Sequence, residues 1–159
     1  MKVRFAVIGS NFIVERFLAA AALCPEFTLS TVYSRTQERA QELSQKWGAP
    51  HACSDLAALA EDKTVDAVYL ASPNVCHAQQ AILMLRAGKH VLCEKPMATD
   101  MAEFEAMCAA ARESGTVLME AMRSAHGPAL PMLRQTVEQL GALRTAEFSY
   151  CQYSSRYQK

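Results

Sequence analysis

The sequence has 159 residues, 51% of them hydrophobic, which is enough for about one domain with a substantial core. Its 16 basic residues balance 16 acidic ones, so charge favours neither nucleic acid nor an anionic membrane as a partner. No apolar run reaches the roughly 18 residues of a membrane-spanning helix, and the amino terminus enters a strand with no room for a signal peptide. We therefore expect a soluble, cytoplasmic protein.

The first predicted elements are a buried strand and an amphipathic helix, which meet at Gly9 within the stretch from Val3 to Leu18. Such a strand–turn–helix unit presents helix N–H groups and the positive end of the helix dipole, which favour a phosphate or pyrophosphate. The candidate residues for cofactor binding at this turn are Gly9, Ser10, Asn11, Phe12 and Ile13.

The glycine fingerprint of this turn is incomplete. The pattern Gly-x-Gly-x-x-Gly, aligned on Gly9, meets Asn11 and Val14 instead of its second and third glycines. Asparagine tolerates a left-handed backbone, so we expect Asn11 to make the turn in that conformation, and we expect Val14 to hold the helix further from the sheet. Taken alone, the motif indicates either a nucleotide site or a plain α/β scaffold.

A second strand, residues 27–33, is followed by a helix with Thr36 as its N-cap and Gly48 as its stop. In a dinucleotide-binding unit, an acidic residue after this strand binds the ribose of NAD, whereas an arginine accommodates the 2′-phosphate of NADP. The chain has Ser34 and Arg35 there, which favours NADP while leaving NAD possible. The alternative is that Arg35 is a solvated residue of the first helical turn.

The third strand, 51–53, precedes a helix that we expect Ser54 to cap, and the apolar run 65–71 predicts a central fourth strand. The loop after the fourth strand lies at the carboxyl edge of the sheet, where open α/β sheets bind ligands. Next comes a helix over residues 76–87, where His77 either makes local hydrogen bonds or contacts a ligand. The candidate residues of the loop are Ser72, Pro73 and Asn74.

The fifth strand, residues 91–93, delivers Glu94 and Lys95 to the same edge. One interpretation of Lys95 is a salt bridge with Glu94. The other is an acid–base catalyst or a substrate clamp, which are roles that a lysine ammonium can fill.

Two runs around this edge carry a family resemblance. Residues 71–77 (Ala-Ser-Pro-Asn-Val-Cys-His) and 87–96 (Ala-Gly-Lys-His-Val-Leu-Cys-Glu-Lys-Pro) resemble the signature of the glucose-fructose oxidoreductase and inositol dehydrogenase (Gfo/Idh/MocA) family. The similarity extends from Val3 to about Glu120. The Gly-x-Asn-x-Ile turn also resembles a branch of the family that lacks the second and third glycines.

The resemblance implies an amino-terminal dinucleotide-binding domain and a carboxyl-terminal domain built on a large open sheet, through which members assemble into homo-oligomers. It places the lysine of Glu-Lys-Pro beside nicotinamide and substrate, which transfers to Lys95 as the catalytic residue with Glu94 alongside. It also implies a downstream aspartate and histidine, which this chain does not reach before Lys159.

The rest of the first domain continues as a doubly wound fold. Asp100 or Thr99 caps a helix with Glu103 in its first turn, and residues 116–120 predict a sixth strand. The fold class is therefore α/β, a doubly wound parallel sheet of the Rossmann type in the order 3-2-1-4-5-6, over residues 1–120. The expected buried stripe of the last helix is Phe104, Met107, Cys108 and Ala111.

Residues 121–159 predict the start of a truncated second α+β domain. Pro131 suits the first turn of a helix that ends at Gly141, and the alternation from Ala142 to Tyr153 predicts a half-buried strand. Because nothing else in the chain can pair with this strand, we expect it to be disordered or to pair with a second copy. His126 has no motif support for a catalytic role.

The cysteines contain no Cys-x-x-Cys pair, so we expect buried hydrophobic side chains, neither disulfides nor a metal site. They are Cys24, Cys53, Cys76, Cys93, Cys108 and Cys151.

The function predicted from these features is hydride transfer by an NAD(P)-dependent oxidoreductase between the cofactor, NADP in preference to NAD, and a small-molecule sugar, polyol or related diol. The chain as given is expected to be incomplete for catalysis. Two alternatives stay open: a dinucleotide-sensing regulatory protein of the same fold, and an inactive nucleotide-binding fragment.

Overall fold

The computed structural model describes residues 2–151, and the chain divides into two compact units that meet in sequence between Met122 and Arg123. The strands, all in the first unit, are β1 Val3–Ile8, β2 Phe27–Tyr33, β3 His51–Cys53, β4 Ala67–Leu70, β5 His90–Cys93 and β6 Leu118–Glu120. The helices of that unit are α1 Phe12–Ala21, α2 Gln37–Trp47, α3 Leu56–Glu61, α4 His77–Arg86 and α5 Met101–Ser114, with a 3₁₀ turn Asn74–Cys76 before α4. The second unit contains α6 Arg123–His126 and α7 Ala129–Gln139.

The six strands form one parallel sheet in the order β3-β2-β1-β4-β5-β6, which confirms the predicted fold class and strand order. The chain builds outward from β1 in one direction, then returns to place β4 on the other side of β1. The crevice at this reversal, beyond the carboxyl ends of β1 and β4, is where doubly wound sheets bind ligands. The sheet therefore delivers the loops after β1, β2, β4 and β5 to one edge.

Both faces of the sheet are buried. Along β1, Ala6 and Ile8 belong to one apolar cluster with Leu70, while Phe5 and Val7 belong to the opposite cluster. This alternation confirms the prediction of a central strand that is covered on both sides, because successive side chains of a strand point to opposite faces.

The helix ends agree with the sequence in most places. The Thr36 hydroxyl accepts the Arg39 N–H at the start of α2, and Asp100 caps α5, as predicted. The predicted cap of α3 was wrong by one residue, because the Asp55 carboxylate, not Ser54, accepts the Ala57 N–H at 2.8 Å. Aspartate and serine are almost equally favourable N-caps, so the sequence Ser54-Asp55 does not determine which of the two residues caps α3.

The buried stripe of α5 differs from the prediction. Met107 and Ala111 are buried, but Phe104 is 40% exposed, Cys108 is only partly buried, and Ala110 is buried instead. Because α5 packs on α4, small side chains such as Ala110 let the two helices approach closely. The cysteines also differ from the expectation, since only Cys93 of the six is buried.

In the second unit, Pro131 lies in the first turn of α7, as predicted. Residues 142–151 form no strand in this single chain, where the predicted strand has no neighbour to pair with, and the last two residues of the predicted strand lie outside the described range. Its pairing with a second copy stays a prediction. A strand requires a neighbour for its backbone groups, and the side chains of Phe148 and Tyr150 are 92% and 89% exposed. Over residues 2–151, none of the helices combines the length and apolar character needed to cross a membrane.

Candidate functional site

The turn after β1 requires glycine at its first position. Gly9 has φ +130°, and a Cβ atom built on it would lie 2.5 Å from the carbonyl oxygen of Ala71, which follows β4. The segments at Gly9 and Ala71 therefore approach so closely that no side chain fits between them. This contact fixes the turn against the end of the neighbouring strand.

Asn11 acts through its side chain rather than through an unusual backbone. Its φ of −89° and ψ of 176° are extended, so the expected left-handed conformation was wrong. The carboxamide oxygen accepts the N–H groups of Ile13 at 3.0 Å and Val14 at 3.3 Å, and the Nδ2 group donates to the Ala71 carbonyl at 3.1 Å. Asn11 thus caps α1 and ties the helix to β4, which is why the turn does not need a second glycine.

The start of α1 has a backbone N–H group that can donate to an anion. In the part of the chain that the structure describes, no hydrogen bond uses the backbone N–H of Phe12, and the Ser10 side chain is exposed. The Phe12 ring is 67% exposed and lies 5.4 Å from the guanidinium carbon of Arg16. A helix N-terminus with an unengaged N–H and a nearby cation is suited to a phosphate.

The end of β2 carries Ser34 and Arg35. The Ser34 N–H donates to the Cys53 carbonyl at 3.1 Å, which joins the ends of β2 and β3. The side chain of Arg35 is exposed, and no ion pair of residues 2–151 involves it. Arg35 is therefore available to an anionic ligand.

The loop after β4 is anchored at its first residue and exposed beyond it. The Ser72 hydroxyl donates to the side-chain oxygen of Gln80 at 2.6 Å, whereas Pro73 and Asn74 are exposed at the crevice.

His77 is buried beneath this loop, with 1% of its surface exposed. Its two ring nitrogens lie 2.9 Å from the carbonyl oxygens of Ser72 and Pro96. The ring therefore connects the loop after β4 with the loop after β5, and both of its polar atoms face protein groups.

At the end of β5, the carboxylate of Glu94 is held on both oxygens. One accepts the Tyr69 hydroxyl at 2.7 Å, and the other accepts the Lys95 backbone N–H at 3.3 Å. The Lys95 side chain is exposed, and its ammonium makes neither a hydrogen bond nor an ion pair with residues 2–151. The interpretation of Lys95 as half of a salt bridge with Glu94 is therefore wrong in this structure.

Three residues of this edge were not identified from the sequence: Tyr69, Gln80 and Glu120. The Glu120 carboxylate accepts the Met97 N–H at 3.1 Å and so holds the segment after Pro96. A signal existed only for Tyr69, a phenol in an otherwise aliphatic strand, because a buried hydroxyl requires a partner. The partners of Gln80 and Glu120 follow from strand register and loop shape, which the sequence pattern does not specify.

Comparisons with known proteins identify the family of the chain. Residues 3–122 match the Gfo/Idh/MocA family profile, described as an oxidoreductase family with an NAD-binding Rossmann fold. The chain is 50% identical to the scyllo-inositol 2-dehydrogenase (NADP⁺) IolU of Bacillus subtilis, over 98% of this chain and 47% of that protein. It is 36% identical to the mouse trans-1,2-dihydrobenzene-1,2-diol dehydrogenase, over 94% of this chain and 46% of that enzyme.

Among solved structures, the chain resembles KijD10, a 3-ketoreductase from Actinomadura kijaniata solved with NADP and TDP-benzene. The TM-score is 0.80 at 36% identity, covering 87% of this chain and 44% of that one. The chain thus spans about half the length of the curated relatives it matches. Fold, turn and family profile together establish that the chain belongs to the Gfo/Idh/MocA family of oxidoreductases, with its NAD-binding Rossmann fold.

Proposed function

We propose that this chain binds NADP along the carboxyl edge of its sheet and provides an acid–base lysine for hydride transfer to or from a sugar, polyol or related diol. The observation that carries the proposal is the order of chemical groups along that edge. Arg35 follows β2, the Gly9 turn follows β1, and Lys95 follows β5. Because β2, β1, β4 and β5 are adjacent, these groups span about 14 Å at ordinary strand spacing.

This order matches the order of groups along NADP. Arg35 and Ser34 would hold the 2′-phosphate, and the start of α1 would hold the pyrophosphate. The residues fit, since Arg35 and the Phe12 N–H are both unengaged and Gly9 itself has no side chain to obstruct the approach of a phosphate. Pro73 and Asn74 would line the middle of the groove, while Glu94 and Lys95 would stand beside the nicotinamide.

The chemistry proposed for Lys95 is proton transfer. A bound nicotinamide supplies the site that accepts or delivers a hydride. In the direction of reduction, the Lys95 ammonium would donate a proton to the substrate oxygen, and in the direction of oxidation the neutral amine of Lys95 would accept the proton of the substrate hydroxyl. The exposed, unpaired ammonium in the structure is free to approach a substrate oxygen.

The proposed substrate class is supported by the relatives. Their names include an inositol dehydrogenase and a dehydrogenase of a cyclic diol, both of which act on a secondary hydroxyl group. A relative named for NADP and a related structure with bound NADP support the cofactor.

Calorimetric titration of the protein with NADP and NAD tests the cofactor proposal. We expect tighter binding of NADP, and we expect Arg35→Ala to weaken NADP by about 1 to 3 kcal/mol while leaving NAD unchanged, the range for a charged hydrogen bond. Arg39→Ala is the matched control, because Arg39 lies on α2 and pairs with Glu42 at 2.8 Å. Equal affinities for the two nucleotides, or a preference for NAD, would contradict the proposal.

A further inference from the structure

The buried phenol of Tyr69 lies next to the proposed site without lining it. Tyr69 is on β4, is 3% exposed, and pairs in register with Leu92 of β5. Glu94 is two residues beyond Leu92 and therefore projects to the same side of the sheet. The strand register thus brings the Tyr69 hydroxyl to the Glu94 carboxylate, at 2.7 Å.

The Tyr69 ring is held by aromatic contacts. It stacks on Phe17 of α1, with 3.8 Å between ring centroids and 15° between ring planes. Phe17 in turn packs edge-on against Phe5 of β1, at a centroid distance of 5.6 Å. The hydroxyl is therefore fixed in direction before any ligand arrives, and the same ring joins α1 to Glu94.

The hydrogen bond is between a protonated phenol and a carboxylate. Burial, together with the Glu94 carboxylate, raises the pKa of Tyr69, so the hydroxyl remains a donor. With the Lys95 N–H at its other oxygen, the Glu94 carboxylate is held from two directions. A bond of this kind to a charged acceptor is stronger than one between neutral groups.

A carboxylate at this position suits one part of the cofactor. It would repel a phosphate, but it accepts hydrogen bonds from uncharged donors such as ribose hydroxyls or a carboxamide N–H₂. On the proposed order of groups, the end of β5 faces the nicotinamide half, which has those donors. Glu94 is thus placed where a negative charge helps binding.

We propose that Tyr69 is a positioning residue, which orients the Glu94 carboxylate toward the nicotinamide half of the cofactor. This inference rests on the proposed function, which places that half beside β5. Tyr69 touches neither cofactor nor substrate, and its effect passes entirely through Glu94.

Calorimetric titration of the whole chain with NADP and with 2′,5′-ADP, which lacks the nicotinamide and its ribose, tests the inference. We expect Tyr69→Phe and Glu94→Ala each to weaken NADP by about 10-fold, the loss for one hydrogen bond to a charged group. Binding of 2′,5′-ADP should stay unchanged in both. The double variant should bind NADP no more weakly than Glu94→Ala alone, because residues that act as a unit are not additive.

Tyr33→Phe is the matched control, since Tyr33 is also a buried phenol, 8% exposed, at the end of β2. Tyr33→Phe should leave the ratio of the affinities for NADP and 2′,5′-ADP unchanged. Melting temperatures of all variants would show whether each variant is folded.

Three results would overturn the inference alone: normal NADP binding by Tyr69→Phe, equal loss of both ligands in that variant, or additive losses in the double variant. A wild-type chain that binds neither ligand would overturn the proposed function as well. A wild-type chain that binds both, together with the expected split in the variants, supports the two proposals together.

Discussion

The two edges of the parallel sheet use polar side chains in different ways. At the amino edge, two cations are engaged by protein groups: Arg4 pairs with Asp66, and the Lys89 ammonium donates to the carbonyls of Asp62 and Val65. Lys89 is only 4% exposed, and burial lowers its pKa. The amino edge is therefore a place where charge stabilises the fold.

At the carboxyl edge, polar side chains hold the loops, while two cations stay unengaged. Asn11 and His77 connect loops through hydrogen bonds to backbone carbonyls, and Gly9 allows the close contact at Ala71. Arg35 and Lys95 project from this framework without partners among residues 2–151. Functional sites concentrate on loops that a rigid scaffold positions. A lysine or arginine in this fold therefore indicates function only when one knows at which edge of the sheet it lies and whether it has a partner.

The largest expected effect concerns the framework of the carboxyl edge. Gly9→Ala should reduce the free energy of unfolding by about 2 to 5 kcal/mol, because a side chain at positive φ costs about 1 to 2 and overpacking costs about 1 to 3. Gly48→Ala is the control, since Gly48 has φ +68° and open space around it. In urea unfolding, Gly48→Ala should lose only the free energy that a side chain at positive φ costs, about 1 to 2 kcal/mol. Similar losses in both variants would show that the contact with Ala71 is not tight in solution.

The second prediction separates a functional cation from a structural one. In a full-length, active form of the protein, Lys95→Ala should reduce turnover by about 100-fold, the contribution of a general acid–base step. Its free energy of unfolding should change by less than about 0.5 kcal/mol, because the ammonium has no partner to lose. Lys63→Ala, an exposed lysine near the amino edge, is the control for steady-state kinetics. Normal turnover of Lys95→Ala would remove the proposed catalytic role.

The smallest expected effect concerns the charges of the amino edge. Hydrogen bonds from Arg4 lower the pKa of Asp66 from 3.8 to about 2. Because the folded-state pKa is the lower one, the stabilisation is complete above pH 3.8 and is lost as pH falls toward about 2. The pair is partly exposed, so the loss should be below about 1 kcal/mol.

Melting temperatures of the wild type and Asp66→Asn, measured between pH 6 and pH 2, test this. The two should differ at neutral pH and converge in acid. A constant difference across that range would mean that the carboxylate of Asp66 is not the group that titrates.

The sequence was sufficient for those features that depend on local pattern. Apolar strands, caps such as Thr36, and the position of Lys95 after β5 follow from residue types and spacing, so the fold class and strand order were predictable. The role of Asn11 was misjudged because its backbone tolerance was considered and its carboxamide was not. That carboxamide reaches Ala71, 60 residues away in the chain.

The contacts of Tyr69 and His77 were beyond prediction for a similar reason. Each depends on which residues of two strands or loops lie opposite one another, and a one-residue change in register would redirect the side chain. The burial of Ala110 in place of Phe104 likewise depends on how α5 packs on α4. Local periodicity indicates a face of a helix, but only the packing of its neighbour selects the residues at the contact.

The carboxamide of Asn11 also limits what evolution can place at this position. It offers an acceptor to the first turn of α1 and a donor to Ala71, both within one short side chain. Aspartate keeps the acceptor, loses the donor and adds a negative charge where a phosphate would bind; serine has one hydroxyl for both directions; glutamine carries both groups one methylene further out. None of these three replacements preserves both bonds with the same geometry, so the turn depends on asparagine at position 11.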